Sequence, residues 1–428
     1  MVVSPPDRHS VTNRDKAHKM SPLPPTVRRN GEQAMTAVST FTWLDHRDED
    51  QQRVRDALAA FDQPGIVDPL GFGIVRDTFS DMLFPGVSTV QTRARYFLLV
   101  PWAYRRLDIE NLAPADGARR ARELEVATIQ ALLQGSDDYE GIIGRNSRAA
   151  TKQLPSFIYW GGLGRWEIRA FPGTRQEYVA SLAQRRARAN TPHEDPWPGL
   201  PPEPDGVFEE TTLQLPPEEA EFLMDRVLRA TRGTYLEQLV RDGDPDQDGD
   251  LPWTHPQATD APPHIARQLE HAELFSYAVW GASLVYNDEL SRRLEDDGQA
   301  PLPQDYQQLL ARWLDELDAR QAELHAWDRE DLWSHVLAQN PHAAGARGFV
   351  DWWLDLAIGD PQRATTDAEV RRELQRRESK IKGPRAKLAS RRARERSPNA
   401  QGGGLMTFRW PQVRQIVGDI HEGLAAHA

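Results

Sequence analysis

Residues 263–296 read PHIARQLEHAELFSYAVWGASLVYNDELSRRLED, and this stretch decides the fold class. Its apolar and small residues fall on two seven-residue series: Ile265, Ala272, Val279 and Tyr286, then Leu269, Ser276, Ser283 and Leu290. At 3.6 residues per turn both series lie along one side of a helix, which predicts a long helix with a buried face. Alanine and serine on that face let a neighbouring helix approach closely. The sequence around it supplies such neighbours. Helical spacing is read over 304–325, 329–338 and 346–358, and Pro216 and Pro217 open a further helix that runs to Thr231. A very polar helix is expected over 367–396, then a Gly402-Gly403-Gly404 hinge, residues 406–410, and a short amphipathic helix through Val413, Ile416, Val417 and Ile420.

The N-terminal side reads the same way with more interruptions. Residues 1–36 hold five prolines and no periodic apolar pattern, so they are expected to be disordered. An upstream start assigned before Met35 explains such a segment. Residues 40–44 alternate and predict one edge strand, followed by a helix carrying Val54, Leu58 and Phe61. A short helix is expected to end at Leu83-Phe-Pro-Gly86. Ser88 or Thr89 is expected to cap the next, with Pro101 kinking or ending it. Residues 115–134 form a strongly amphipathic pattern. Two short helices and an extended 166–171 piece are expected within 141–171, then a helix from Thr174 to Ala189. The whole predicts an all-α or predominantly α fold: a multi-helix body with at most a few short strands. The divisions expected are 1–36, a helical region 37–189, a Pro-rich linker or loop 190–216 with seven prolines, a helical region 217–360, and a basic C-terminal region 361–428.

Composition narrows the chemistry. The chain has 428 residues, 39% hydrophobic, with 13 tryptophans to anchor helix contacts. It has no cysteine, which removes disulfides, thiolate nucleophiles and cysteine-ligated metals. No apolar run reaches the roughly 20 residues a membrane-spanning helix needs, so no membrane partner and a cytoplasmic location are expected. The net charge is −12. Residues 371–396 carry 12 basic side chains against Glu373, Glu378 and Glu395, a local +9, leaving −21 for the rest. That asymmetry predicts a local anion-binding surface on a body that repels polyanions elsewhere.

Within that run Lys380, Lys382, Arg385, Lys387, Arg391 and Arg392 are the candidate residues for nucleic-acid or phosphate binding. Cations at this density displace counterions from phosphates. The alternative is a solvated charged helix docked on the acidic body. Arg145 and Arg148, with Lys152, make a second basic cluster ahead of Phe157, Tyr159 and Trp160, in a region that could be read as a helix-turn-helix with a wing. Arg93 and Arg95 sit beside an apolar helical stretch and must meet carboxylates, carbonyls or a ligand anion. Asp244, Asp246, Asp248 and Gly249 mimic the start of a calcium loop, but His255 stands where the closing glutamate belongs, which favours a plain acidic turn. Glu378-Ser-Lys380 has the local form of a nuclease motif on a helix rather than the strand that chemistry uses. No phosphate-binding loop, nucleophile elbow or HExxH pair occurs, and no metal or cofactor is expected.

Phe41-Thr-Trp-Leu-Asp45, Leu83-Phe-Pro-Gly86, Thr92-Arg-Ala-Arg-Tyr96, Val100-Pro-Trp102, Ile158-Tyr-Trp160 and Phe408-Arg-Trp410, taken in order, resemble a family of bacterial proteins known only as a domain of unknown function. The resemblance covers most of the chain after Met35 and carries no catalytic residue. It implies work beside DNA-processing partners, in mobile-element or anti-phage settings. A non-enzymatic accessory protein is therefore expected, contacting nucleic acid or a partner's acidic surface through 371–396. The rivals are a helical scaffold for protein partners, and an enzyme whose pocket gathers Arg93, Arg95, Glu140 or Arg145.

Overall fold

Tryptophans set the spacing of the helices. The computed structural model describes residues 68–110, 112–113, 116–187, 195–243 and 249–426, which belong to one compact unit. The strand at 40–44, the helix through Val54, the N-terminal extension and Asp244 to Asp248 lie outside these residues. The described chain forms α1 (Gly73–Leu83), α2 (Tyr96–Ile109), α3 (Gly117–Gly135), α4 (Pro155–Arg165), α5 (Arg175–Ala180), α6 (Leu182–Ala187), α7 (Pro217–Ala230), α8 (Tyr235–Asp242) and α9 (Pro263–Asp296). It continues with α10 (Tyr306–Ala319), α11 (Gln321–Ala326), α12 (Arg329–Gln339), α13 (Ala344–Gly359), α14 (Pro361–Thr366), α15 (Ala368–Lys382), α16 (Arg391–Arg396) and α17 (Trp410–Ala425). No strand occurs among the described residues, so the fold is all-α.

Helix α9 is the central element. Of its two seven-residue series only Ser283 is not fully buried. Trp313 of α10 and Trp353 of α13 each send an indole N–H, at 2.9 Å, to consecutive carbonyls of α9, those of Tyr277 and Ala278. Gly281 makes this possible, since a Cβ there would lie 2.3 Å from the Trp313 ring. The small and polar residues of α9 take a different neighbour from the one expected. Ser276, Trp280 and Asn287 hydrogen-bond the backbone of Met406, Gly403 and Gln401. The triple glycine is thus part of an irregular strap pinned along α9, with Gly402 and Gly403 at positive φ where a side chain is disfavoured.

In the N-terminal half, Pro101 does not end its helix. It lies inside α2, where residues 96 to 104 are all buried, and tertiary packing outweighs the one lost hydrogen bond. Ser88 and Thr89 do not cap α2. Residues 88–95 are irregular: Ser88 N–H donates to Gln91 Oε1, and Gln91 Nε2 donates to the Gly86 carbonyl. Between α3 and α4 there is only the single 3₁₀ turn Arg148–Ala150, so no helix-turn-helix forms. Residues 166–171 likewise fold back as a turn, with Ile168 and Arg169 N–H on the Leu163 carbonyl. The helix expected after Thr174 begins with a capping box to Glu177 but breaks at Ser181 into α5 and α6. The Pro-rich stretch is packed rather than free: Trp197, Leu200, Val207, Leu213 and Leu215 join the same core that runs from Leu70 to Ile420. Proline fixes this backbone, and the apolar residues between the prolines bury it.

Candidate nucleic-acid interface

The basic segment is two helices folded over a sharp turn. Asp367 caps α15 by accepting from Glu369 N–H at 2.8 Å, and Val370 and Leu374 bury its inner face. The helix stops at Gly383 (φ 54°), because Pro384 cannot continue it, and a 3₁₀ turn Gly383–Arg385 follows. Glu378 locks the fold-back. Its carboxylate, buried, accepts from Lys387 N–H (2.7 Å), Leu388 N–H (2.8 Å) and the Tyr286 hydroxyl (2.6 Å). With both oxygens engaged in three such bonds, Glu378 acts as a structural clasp that holds the fold-back. Arg371 pairs with Asp288 (2.8 Å) and Arg394 with Asp297 (2.7 Å), which docks the segment on the acidic body.

The expected phosphate-binding residues divide accordingly. Lys380, Arg385, Arg391 and Arg392 are exposed. Lys382 is half-buried, and desolvation holds its ammonium below the ordinary lysine range, with the Arg385 charge adding to the effect. Lys387 is buried, gives its ammonium to the Asn399 carbonyl at 2.9 Å, and is also held low by desolvation. It belongs to the docking contacts and not to the surface. Three further exposed cations, Arg372, Arg376 and Arg396, complete the outer face. Arg372, Arg376 and Lys380 fall at i, i+4 and i+8 on α15, a spacing legible in the sequence but hidden among the other basic residues. Arg372, Arg376 and Arg391 lean on Glu369, Glu373 and Glu395. Among the described residues Lys380, Arg385, Arg392 and Arg396 form no ion pair.

The other four arginines separate into two pairs. Arg95 is buried and clamps Glu219 with two bonds of 2.8 Å, adding the Thr212 carbonyl at 2.8 Å. Arg93 binds Asp419 at 2.8 and 3.0 Å, and Ala94 N–H joins that carboxylate at 2.7 Å. Desolvation raises the Asp419 carboxyl, with Arg93 opposing it. These two arginines are internal ties, and they do not meet Glu140 or Arg145. Arg145 and Arg148 instead stay at the surface.

A constellation not read from the sequence joins His271 of α9 to Asp331 and His335 of α12, with one ligand-type atom from each within 4.8 Å of the others. Asp331 and His335 are four apart on α12, a spacing legible in the sequence, but His271 lies 60 residues before Asp331 and no local pattern joins it to them. The indole of Trp327 donates to His271 Nδ1 at 2.9 Å. An indole N–H only donates, so Nδ1 accepts and the proton sits on Nε2, which faces Asp331 Oδ2 at 3.0 Å. A cation at Nε2 would have to displace that proton while Nδ1 stays occupied. The arrangement suits a neutral buried histidine, and desolvation lowers its pKa despite Asp331.

Fold and surface together define an all-α protein with a docked basic element. The chain belongs to the family of unknown function DUF6361, whose family model matches residues 38–423. No curated protein and no solved structure matches the chain. Among the described residues no helix is long and apolar enough to cross a membrane.

Proposed function

We propose that this chain is a non-enzymatic accessory protein that contacts nucleic-acid phosphates through the outer face of α15, the Gly383–Arg385 turn and α16. The observation that carries the reading is the sorting of charge in this segment. Arg371, Lys387 and Arg394 are spent on docking, while Lys380, Arg385, Arg392 and Arg396 are held outward without carboxylate partners among the described residues. A segment whose only task was to dock would gain nothing from unpaired surface cations, whereas phosphates repay them by counterion release. A setting in bacterial defence or DNA processing follows from the family resemblance alone.

Fluorescence anisotropy with labelled duplex DNA, single-stranded DNA and RNA at two salt concentrations tests this. The full chain is compared with a Lys380→Gln, Arg385→Gln, Arg392→Gln, Arg396→Gln variant, in which no anchoring residue changes. Binding should weaken steeply with salt, and each phosphate-contacting residue removed should lower the log–log slope by about 1. Absence of low-salt binding to all three probes sinks the reading. In that case the same face is tested against an acidic protein partner, and the scaffold alternative gains.

A further inference from the structure

The region between the C-terminal end of α3 and the loop over 137–150 holds a cleft of about 650 Å³. We infer that this cleft binds a nucleotide, with the phosphate held by Arg145 and Arg148 and the base lying on Tyr139. Gln130, Gln134 and Asn146 also line it, and no carboxylate does. The carboxylates nearby, Asp138 and Glu140, line a neighbouring cleft with Thr92, and Arg145 stands between the two clefts and lines both. Neither guanidinium forms an ion pair among the described residues. Arg145 reaches only the Tyr139 carbonyl, at 3.4 Å.

The walls are built rather than loose. Tyr96 accepts Ile143 N–H at 2.9 Å from inside the core, and Arg122 holds the Ala149 and Thr151 carbonyls beneath the 3₁₀ turn. Ser147 and Thr151 hydroxyls bond at 2.7 Å. Gly144 sits at φ 78°, where a Cβ would meet the Thr151 hydroxyl and the Ile129 side chain. Arg148 is held at φ 46°, an unfavourable conformation for a residue with a side chain. Tyr139 is 48% exposed, one of few large apolar side chains left at the surface among the described residues. Two unpaired guanidiniums, an exposed ring and three side-chain amides match the parts of a nucleotide: phosphate, planar base and base edge. The volume lies within the range of small-molecule sites. The same chemistry is offered by a free mononucleotide and by one unit of a single strand.

Isothermal titration calorimetry on the full chain with AMP, adenosine, inorganic phosphate and a hexathymidylate oligonucleotide tests the inference. AMP should bind saturably below millimolar concentration and more tightly than adenosine or phosphate. Arg148→Gln should weaken AMP about tenfold. Tyr139→Ser should weaken AMP by a similar factor and leave phosphate binding unchanged. Tighter hexathymidylate than AMP binding, lost in both variants, assigns the site to a strand; the reverse order assigns it to a free nucleotide. The four-residue variant of α15 and α16 should still bind AMP, which separates this site from the basic face. No saturable binding of AMP or hexathymidylate overturns the inference. So does binding that Arg148→Gln and Tyr139→Ser both leave intact, or equal affinity for phosphate and AMP.

Discussion

Arg95 and Glu219 illustrate how single residues hold this molecule together. Both side chains are almost entirely out of water, and the planar guanidinium meets the carboxylate at two points. Such a pair stabilises little against a well-packed apolar pair, yet breaking one half strands a charge in the core. Glu219→Gln should therefore cost about 3–5 kcal/mol, whereas Arg95→Met with Glu219→Leu should be near neutral. Urea unfolding of the three chains checks this, and equal losses in the single and double variants would contradict it. From the sequence, Arg93 and Arg95 were seen to need partners. Glu219 and Asp419 were not recognisable as those partners, because pairing across more than a hundred residues leaves no local pattern.

Helices α9 and α12 meet through a titratable contact. Burial lowers the His271 pKa, and the neutral ring accepts from Trp327 while facing Asp331. In the unfolded chain the same histidine titrates near its ordinary value of about 6.5. As pH falls below that value the unfolded state takes up the proton first, so this contribution to stability is present above it and is lost towards acid. Protonation of Nδ1 would also abolish the Trp327 bond. Between neutral pH and pH values near 5 the unfolding free energy of the native chain should fall more than that of His271→Gln. Chemical denaturation at several pH values reads the difference, and parallel profiles would refute the contact's role. The helices themselves were largely legible. The heptad face of α9 and the double proline before α7 are local signals that survive in the structure. The basic element was legible too, although the single helix expected over 367–396 is broken at Gly383-Pro384. Its division into anchoring and outward cations was not, because alternation of exposure is set by what lies underneath.

The described residues share one continuous core from Leu70 to Ile420, which includes the Pro-rich stretch and the C-terminal helix α17. Arg93 with Asp419 and Arg95 with Glu219 tie its beginning to α17 and α7. A core so shared predicts that this part of the chain unfolds in one main transition, with matching calorimetric and van't Hoff enthalpies. Differential scanning calorimetry would show separated transitions if 217–360 melted on its own. Sequence by itself determined the helical class, the long central helix, the basic element and the family, since helical periodicity, proline position and local charge are written in neighbouring residues. Tertiary structure alone decided which cations are buried, that the glycine strap lies along α9, that Trp197, Leu200, Val207, Leu213 and Leu215 of the Pro-rich stretch join the core, and that Arg145 and Arg148 share a cleft with Tyr139. Those outcomes depend on which surfaces meet in space, and desolvation and long-range hydrogen bonds act only after the chain has brought them together.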